Sequence, residues 1–445
     1  MDAKRRVGVR LLLAIMTAGF MSGAALAQAR NLDRLARAGK FQGPLHGIPI
    51  AVKDNVHVVG FANSAGTPAL QDFRPRANAA VIEKLVNAGA IVIGKTNLHE
   101  LAFGITSNNA RFGVVANAYD AGRFAGGSSG GTGTAIALRM APVGIGTDTG
   151  GSVRIPAALN GIVGLRPTKR RYSTQGVTPI STTRDTVGPM ARGFADLALV
   201  DGVITGARDR VAPANPGRMR IGVERAYFFN DVDAEVAELT ERALSRLRAE
   251  GAEIVEIEMP GLAELMEMAA PIPIYEAQRA IPAYLQKYEA GVDLQQLVAR
   301  IASPDVKAIF EGAILPGAKA APSAAAYQDA MKKARPGLAR LYAQTFRKYR
   351  VDVIAYPTTV ASAQSISDAD RTFKLNGRDV PTFATFTRNM EPGTIPGVPS
   401  ITVPIARTAA GLPIGLTLEG PRQSDRRLLA LGMALEKIYG TLPPP

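Results

Sequence analysis

The stretch GGSSGGTGTAIALRMAPVGIGTDTGGS, residues 126–152, decides how the rest of the chain is read. Nine of its residues are glycine, gathered in two clusters around an apolar run, and each cluster carries serine. Lacking a Cβ, glycine reaches positive φ and lets a main chain pass close to a ligand. Two such clusters describe two loops folded against one site.

Residue types separate the known kinds of glycine-rich loop. A phosphate-binding GxxxxGK[ST] loop needs a lysine, and the block has none. The dinucleotide pattern GxGxxG fails because Ile136 stands where a third glycine must follow Gly131 and Gly133. Gly127, Ser129 and Gly131 do satisfy GxSxG, but that nucleophile elbow needs a histidine later in the chain. His46, His57 and His99 are the only histidines and all precede the serine, so a Ser–Asp–His hydrolase is excluded. A lysine can activate a serine instead. In LHGIPIAVKDN, residues 45–55, Lys53 closes the apolar run Ile48, Ile50, Ala51 and Val52. Removing an ammonium from water disfavours its charged form, which lowers its pKa and frees it as a base near neutral pH.

Taken together, GIPIAVKDN (47–55), GGSSGGTGTAIA (126–137) and GIGTDTGGSVRIPAALNGIVGLRPT (144–168) resemble the amidase signature family of serine amidohydrolases. The resemblance rests on three long blocks and extends from about residue 28 to residue 437. It implies an α/β fold, a large twisted mixed, mostly parallel β-sheet covered by helices on both faces, in one domain over residues 28–445. Position by position, it implies Ser152 as the acylated nucleophile, Ser128 as a serine preceded by a cis peptide bond, and Lys53 as the base. The backbone N–H groups of Thr149, Gly150, Gly151 and Ser152 match the family's oxyanion loop, where preorganised donors are needed. Ser129 is a supporting hydrogen-bond group, and Asp148 and Arg154 hold the loops. The implied amidase chemistry requires no metal or organic cofactor.

GVTPISTTRDTVGPMAR (176–192) and GLPIGLTLEGPRQSDRRLLALGMALE (411–436) resemble the indoleacetamide and mandelamide hydrolase branch of that family. The expected partner is therefore a small-molecule primary amide with a short aryl or apolar acyl group. Two alternatives stay open: the glutaminase subunit of a tRNA-dependent amidotransferase, which shares these motifs, and a catalytically silent homologue acting as a binding or scaffold protein.

Over 445 residues the chain is 47% hydrophobic and 20% charged, the composition of a globular enzyme. Its net charge of +14 comes from scattered arginines with no basic stripe interleaved with aromatics, so nucleic acid is not an expected partner. A homodimer is left open. His99-Glu100 begins an HExxH motif, but Phe103 stands at its end, and His46 and His57 lack metal-ligand spacing. All three histidines are expected in packing or loop roles. Cysteine is absent, which suits an exported or a cytosolic protein equally.

The first residues have the plan of a secretory signal peptide. Lys4, Arg5, Arg6 and Arg10 precede an uncharged run from Leu11 to Ala27, and Ala25-Leu26-Ala27 offers a cleavage site before Gln28. Residues 1–27 are thus expected to direct the protein to the periplasm or medium, with no membrane association after removal. The alternative is a cytoplasmic protein whose apolar first helix is native. Downstream, strands are expected at 48–52, 90–93, 143–146, 162–165, 221–223, 254–257, 351–356, 401–403 and 414–418. Helices at 77–87 and 134–140 complete a βαβ rhythm. Residues 259–350, punctuated by proline, read as mostly helical, and the family resemblance implies that they form a cap over the site; 205–219 reads as an exposed connection.

Overall fold

The computed structural model describes residues 16–18, 23–367 and 371–445. The described residues form fifteen strands: β1 Met16–Ala18, β2 Pro49–Lys53, β3 Ile91–Thr96, β4 Asn108–Asn109, β5 Gly113–Val114, β6 Val143–Asp148, β7 Val163–Arg166 and β8 Thr186–Ala191, then β9 Arg220–Val223, β10 Glu253–Glu256, β11 Val353–Pro357, β12 Thr372–Leu375, β13 Arg378–Pro381, β14 Ser400–Arg407 and β15 Pro413–Glu419. Eleven of them form one sheet in the order β1-β3-β2-β6-β8-β7-β14-β15-β11-β9-β10, and β4-β5 and β12-β13 make two small pairs. The large sheet is mixed. Parallel pairing joins β3-β2-β6 on one side and β11-β9-β10 on the other, with antiparallel pairing from β6 across to β11.

Strands β6, β8 and β15 are buried at every position, as expected of strands covered on both faces. The helix Ala234–Ala249 illustrates how the covers form. Asp233 caps it by accepting from Glu235 N and Val236 N at 3.1 Å, and Val236, Leu239, Ala243, Leu244 and Leu247 recur at helical spacing on its buried face. It links β9 to its parallel neighbour β10. One core cluster spans the sheet through Val52, Ile145, Leu165, Ile221, Ile354 and Leu416.

Each expected strand and the two expected helices are present with small shifts of boundary. Strand β8 has no counterpart among the expectations, because Gly188 and Pro189 interrupt its apolar pattern with residues that argue against a central strand. Gly188 is there because the Leu165 carbonyl approaches so closely that a Cβ would collide with it.

The 259–350 segment is mostly helical, with helices at Leu262–Ala269, Pro271–Lys287, Leu294–Ala299, Pro304–Ile309, Ala324–Asp329 and Arg335–Tyr349. A second core cluster fastens it to the turn around residue 100, joining Leu98, Leu101 and Phe103 to Ile281, Leu285, Val306 and Phe310. Most of the expected export signal lies outside the described residues. Its last part belongs to a helix, Gly23–Arg37, that runs through the expected cleavage point and packs Ala25 and Leu32 on Ile91. Among the described residues no helix is long and apolar enough to cross a membrane.

Candidate active site

Lys53 ends β2 and Asp148 ends its parallel neighbour β6, so both lie at the carboxyl edge of the sheet, where open α/β sheets bind ligands. The helix Gly130–Ala137 begins within the first glycine cluster, and the last glycines of the second, Gly150 and Gly151, follow β6. Two loops distant in sequence therefore meet. Ser129 N–H donates to the Ser152 carbonyl at 3.2 Å, and Ser129 Oγ donates to the Thr147 carbonyl at 3.1 Å. The peptide bond between Gly127 and Ser128 is cis.

Lys53 is fully buried, and its Nζ lies 2.8 Å from both Ser128 Oγ and Thr147 Oγ1. Burial pulls its pKa down to about 7, although the charges of Asp148 and Asp185 act the other way. Asn55 Nδ2 donates to Thr147 Oγ1 at 3.0 Å, so that hydroxyl is held while the lysine addresses Ser128. Ser152 reaches the surface of the cavity described below. Among the described residues no side-chain hydrogen bond joins Ser128 to Ser152; their tie is the backbone bond through Ser129.

Asp148 organises the loop that carries Ser152. Its Oδ1 accepts from Gly151 N–H at 2.9 Å and its Oδ2 from Val153 N–H at 3.2 Å. Arg154 forks onto both oxygens at 3.0 Å, and Arg166 Nη1 reaches Oδ1 at 2.9 Å. Burial opposes ionisation of Asp148, but the two guanidiniums outweigh it and hold the carboxyl well below the usual range. The expected oxyanion set needs one correction: Gly151 N–H is occupied by Asp148. The N–H groups of Thr149, Gly150 and Ser152 have no acceptor among the described residues.

Thr149 is clamped from behind. Its hydroxyl donates to Asp185 Oδ1 at 2.6 Å, and its carbonyl accepts from Arg184 Nε at 3.1 Å. Asp185 Oδ2 in turn accepts from Ile180 N–H and Ser181 N–H. Glu276, on the cap helix Pro271–Lys287, accepts from Ser181 Oγ, Thr183 N–H and Thr183 Oγ1 at 2.5, 3.0 and 3.1 Å, and from Tyr327 OH at 3.0 Å. The cap is thereby tied to the 180–185 loop and through it to Thr149. A second tie runs through Glu100, whose carboxylate accepts from Ser303 N–H at 2.7 Å, and His99, whose Nε2 contacts Asp305 Oδ2 at 2.8 Å. His57 faces Tyr284 OH at 2.6 Å, its pKa lowered to about 4 by burial and then by Lys95. His46 contacts the Leu32 carbonyl at 3.1 Å. All three histidines thus serve packing and loop roles.

A cavity of about 470 Å³ opens onto Ser152, Thr149 and Gly150, with Phe103, Ile105 and Ile180 on the sheet side and Met266, Ile274 and Ile309 from the cap. Such a pocket, mainly apolar with a few convergent polar groups, has the size and lining of a small-molecule site. Thr147, Asn55, Arg166, Arg184, Asp185, Glu276 and Glu391 were not singled out by sequence reasoning. Thr147 lies inside a quoted block, but nothing local showed that its hydroxyl turns to Lys53.

A family model described as Amidase matches residues 15–429. The chain is 44% identical to a mandelamide hydrolase of Pseudomonas putida over 437 residues, 95% of this chain and 84% of the relative. It is 40% identical to an indoleacetamide hydrolase of Agrobacterium vitis, covering 92% of this chain and 86% of the relative. The solved peptide amidase of Stenotrophomonas maltophilia superposes with a TM-score of 0.81 at 31% identity, covering 97% of this chain and 90% of that one.

Proposed function

The chain belongs to the amidase family and is an amide-hydrolysing enzyme, and from that premise we propose that it cleaves a small primary carboxamide with an aryl or apolar acyl group through an acyl-enzyme on Ser152. The observation that carries the reading is a fully buried lysine of pKa about 7 in hydrogen-bond contact with Ser128, beside an apolar cavity that contains Ser152. Neutral Lys53 accepts the proton of Ser128, Ser128 draws that of Ser152, and Ser152 Oγ bonds to the amide carbon. The carbonyl electron pair moves to oxygen, where the N–H groups of Thr149, Gly150 and Ser152 face it. Collapse breaks the C–N bond, and the relayed proton returns through Ser128 to the departing ammonia. Water then attacks the ester by the same relay and releases the carboxylic acid and Ser152.

The hydrolase relatives favour a free-standing amidase over an amidotransferase subunit. A screen of primary amides for ammonia release, with Ser152→Ala as control, tests the reading. Turnover of arylalkyl amides lost in the variant is expected, and no turnover of any amide by the wild-type protein would overturn it.

Export to the periplasm is proposed on the basic residues before the uncharged run. A cytoplasmic protein with a native first helix is supported by the pairing of β1 with β3 and the packing of Ala25 and Leu32 on Ile91. N-terminal sequencing of protein recovered from its host distinguishes them. Gln28 as first residue upholds export, and an uncut chain in the cytosolic fraction rejects it.

A further inference from the structure

The cavity beside Ser152 is lined mainly by apolar side chains; among its described lining residues Glu391 is the only carboxylate, and Arg184 and Arg388 are the cations. One of its oxygens, Oε2, accepts from Arg184 Nη2, the same guanidinium whose Nε holds the Thr149 carbonyl. The other, Oε1, has no protein donor among the described residues. It lies directly over Gly150, so close that a Cβ added there would collide with it. Glu391 is 22% exposed and Arg184 only 3%, which leaves the carboxylate open to the cavity while its counter-ion is enclosed.

An acceptor oxygen with no donor of its own in a mainly apolar cavity discriminates between ligands. A ligand O–H or N–H satisfies it, and a ligand without one leaves it unpaired. Gly150 stands two residues before Ser152 on the loop whose N–H groups face the substrate carbonyl, so a ligand atom that meets Oε1 is attached close to that carbonyl. We propose that Glu391 is a specificity-determining residue that selects amides bearing a hydrogen-bond donor, a hydroxyl or an N–H, next to the carboxamide carbon. This inference rests on the reading of the cavity as the amide site.

The test compares kcat/KM for an arylacetamide and its α-hydroxy derivative in the wild-type protein, Glu391→Gln and Glu391→Ala. Glutamine keeps a weaker, neutral acceptor and alanine keeps none. The hydroxy-to-parent ratio is expected to fall about tenfold or more from the wild-type protein to the alanine variant, with glutamine between. Any loss common to both amides, arising from Arg184 without its partner, cancels in this ratio, as does the intrinsic reactivity of each amide. A ratio unchanged across the three proteins overturns the role of Glu391 while leaving the amidase reading intact. A wild-type protein that hydrolyses neither of these and no other primary amide overturns both.

Discussion

At Lys53 two physical effects oppose each other, and their balance is what makes the residue useful. Burial strips the ammonium of water and favours the neutral amine, while Asp148 and Asp185 favour the cation; the outcome is a pKa of about 7. Only the neutral form accepts a proton. The kcat/KM of amide hydrolysis should therefore rise with pH through a midpoint near 7 and level off above it, and Lys53→Met should lose about 10²–10⁴ of the rate. A profile flat from pH 5 to 9 would contradict the assignment. Lys53, Ser128 and Ser152 were legible because each lies in a long block whose glycine and apolar pattern serves one purpose. Arg184, Asp185, Glu276 and Glu391 were not, since their roles depend on contacts between segments far apart in the chain. The Gly151 N–H was misassigned because a glycine's freedom is visible in sequence, whereas the acceptor its amide meets is not.

Among the elements, the cap does more than cover the cavity. Glu276 holds Ser181 and Thr183, the adjoining Arg184 and Asp185 hold Thr149, and Thr149 opens the loop that ends at Ser152. Removing the carboxylate leaves those donors unpaired and lets the oxyanion loop drift, and small displacements of catalytic groups can cost up to about 10²-fold in rate. Glu276→Ala should lower kcat about tenfold or more with a smaller change in KM, because the cavity wall formed by Ile274 and Met266 stays in place. A raised KM at unchanged kcat would assign Glu276 to substrate binding instead. The cap was readable as a helical segment from its length and proline punctuation, but its ties to the loops were not. Strand β8, which supplies Thr186 opposite Asp148, escaped because glycine and proline mask a central strand whose neighbours crowd it.

Across the whole molecule, one mixed sheet places the ends of β2 and β6 side by side and lets the two glycine loops and the cap close on the same cavity. The βαβ rhythm followed from short apolar runs alternating with amphipathic segments, which are visible without structure, whereas the single-domain reading was implied by the family resemblance. The antiparallel centre was not visible, because strand direction depends on connections and not on composition. The central claim, that this architecture makes Ser152 an unusually reactive serine, is tested most directly by intact-mass analysis after exposure to a fluorophosphonate. The wild-type protein should gain a single phosphonyl adduct that maps to the peptide containing Ser152, Lys53→Met should label far more slowly, and Ser152→Ala should gain none. Absence of the adduct in the wild-type protein, or equal labelling of Ser152→Ala, would contradict the account.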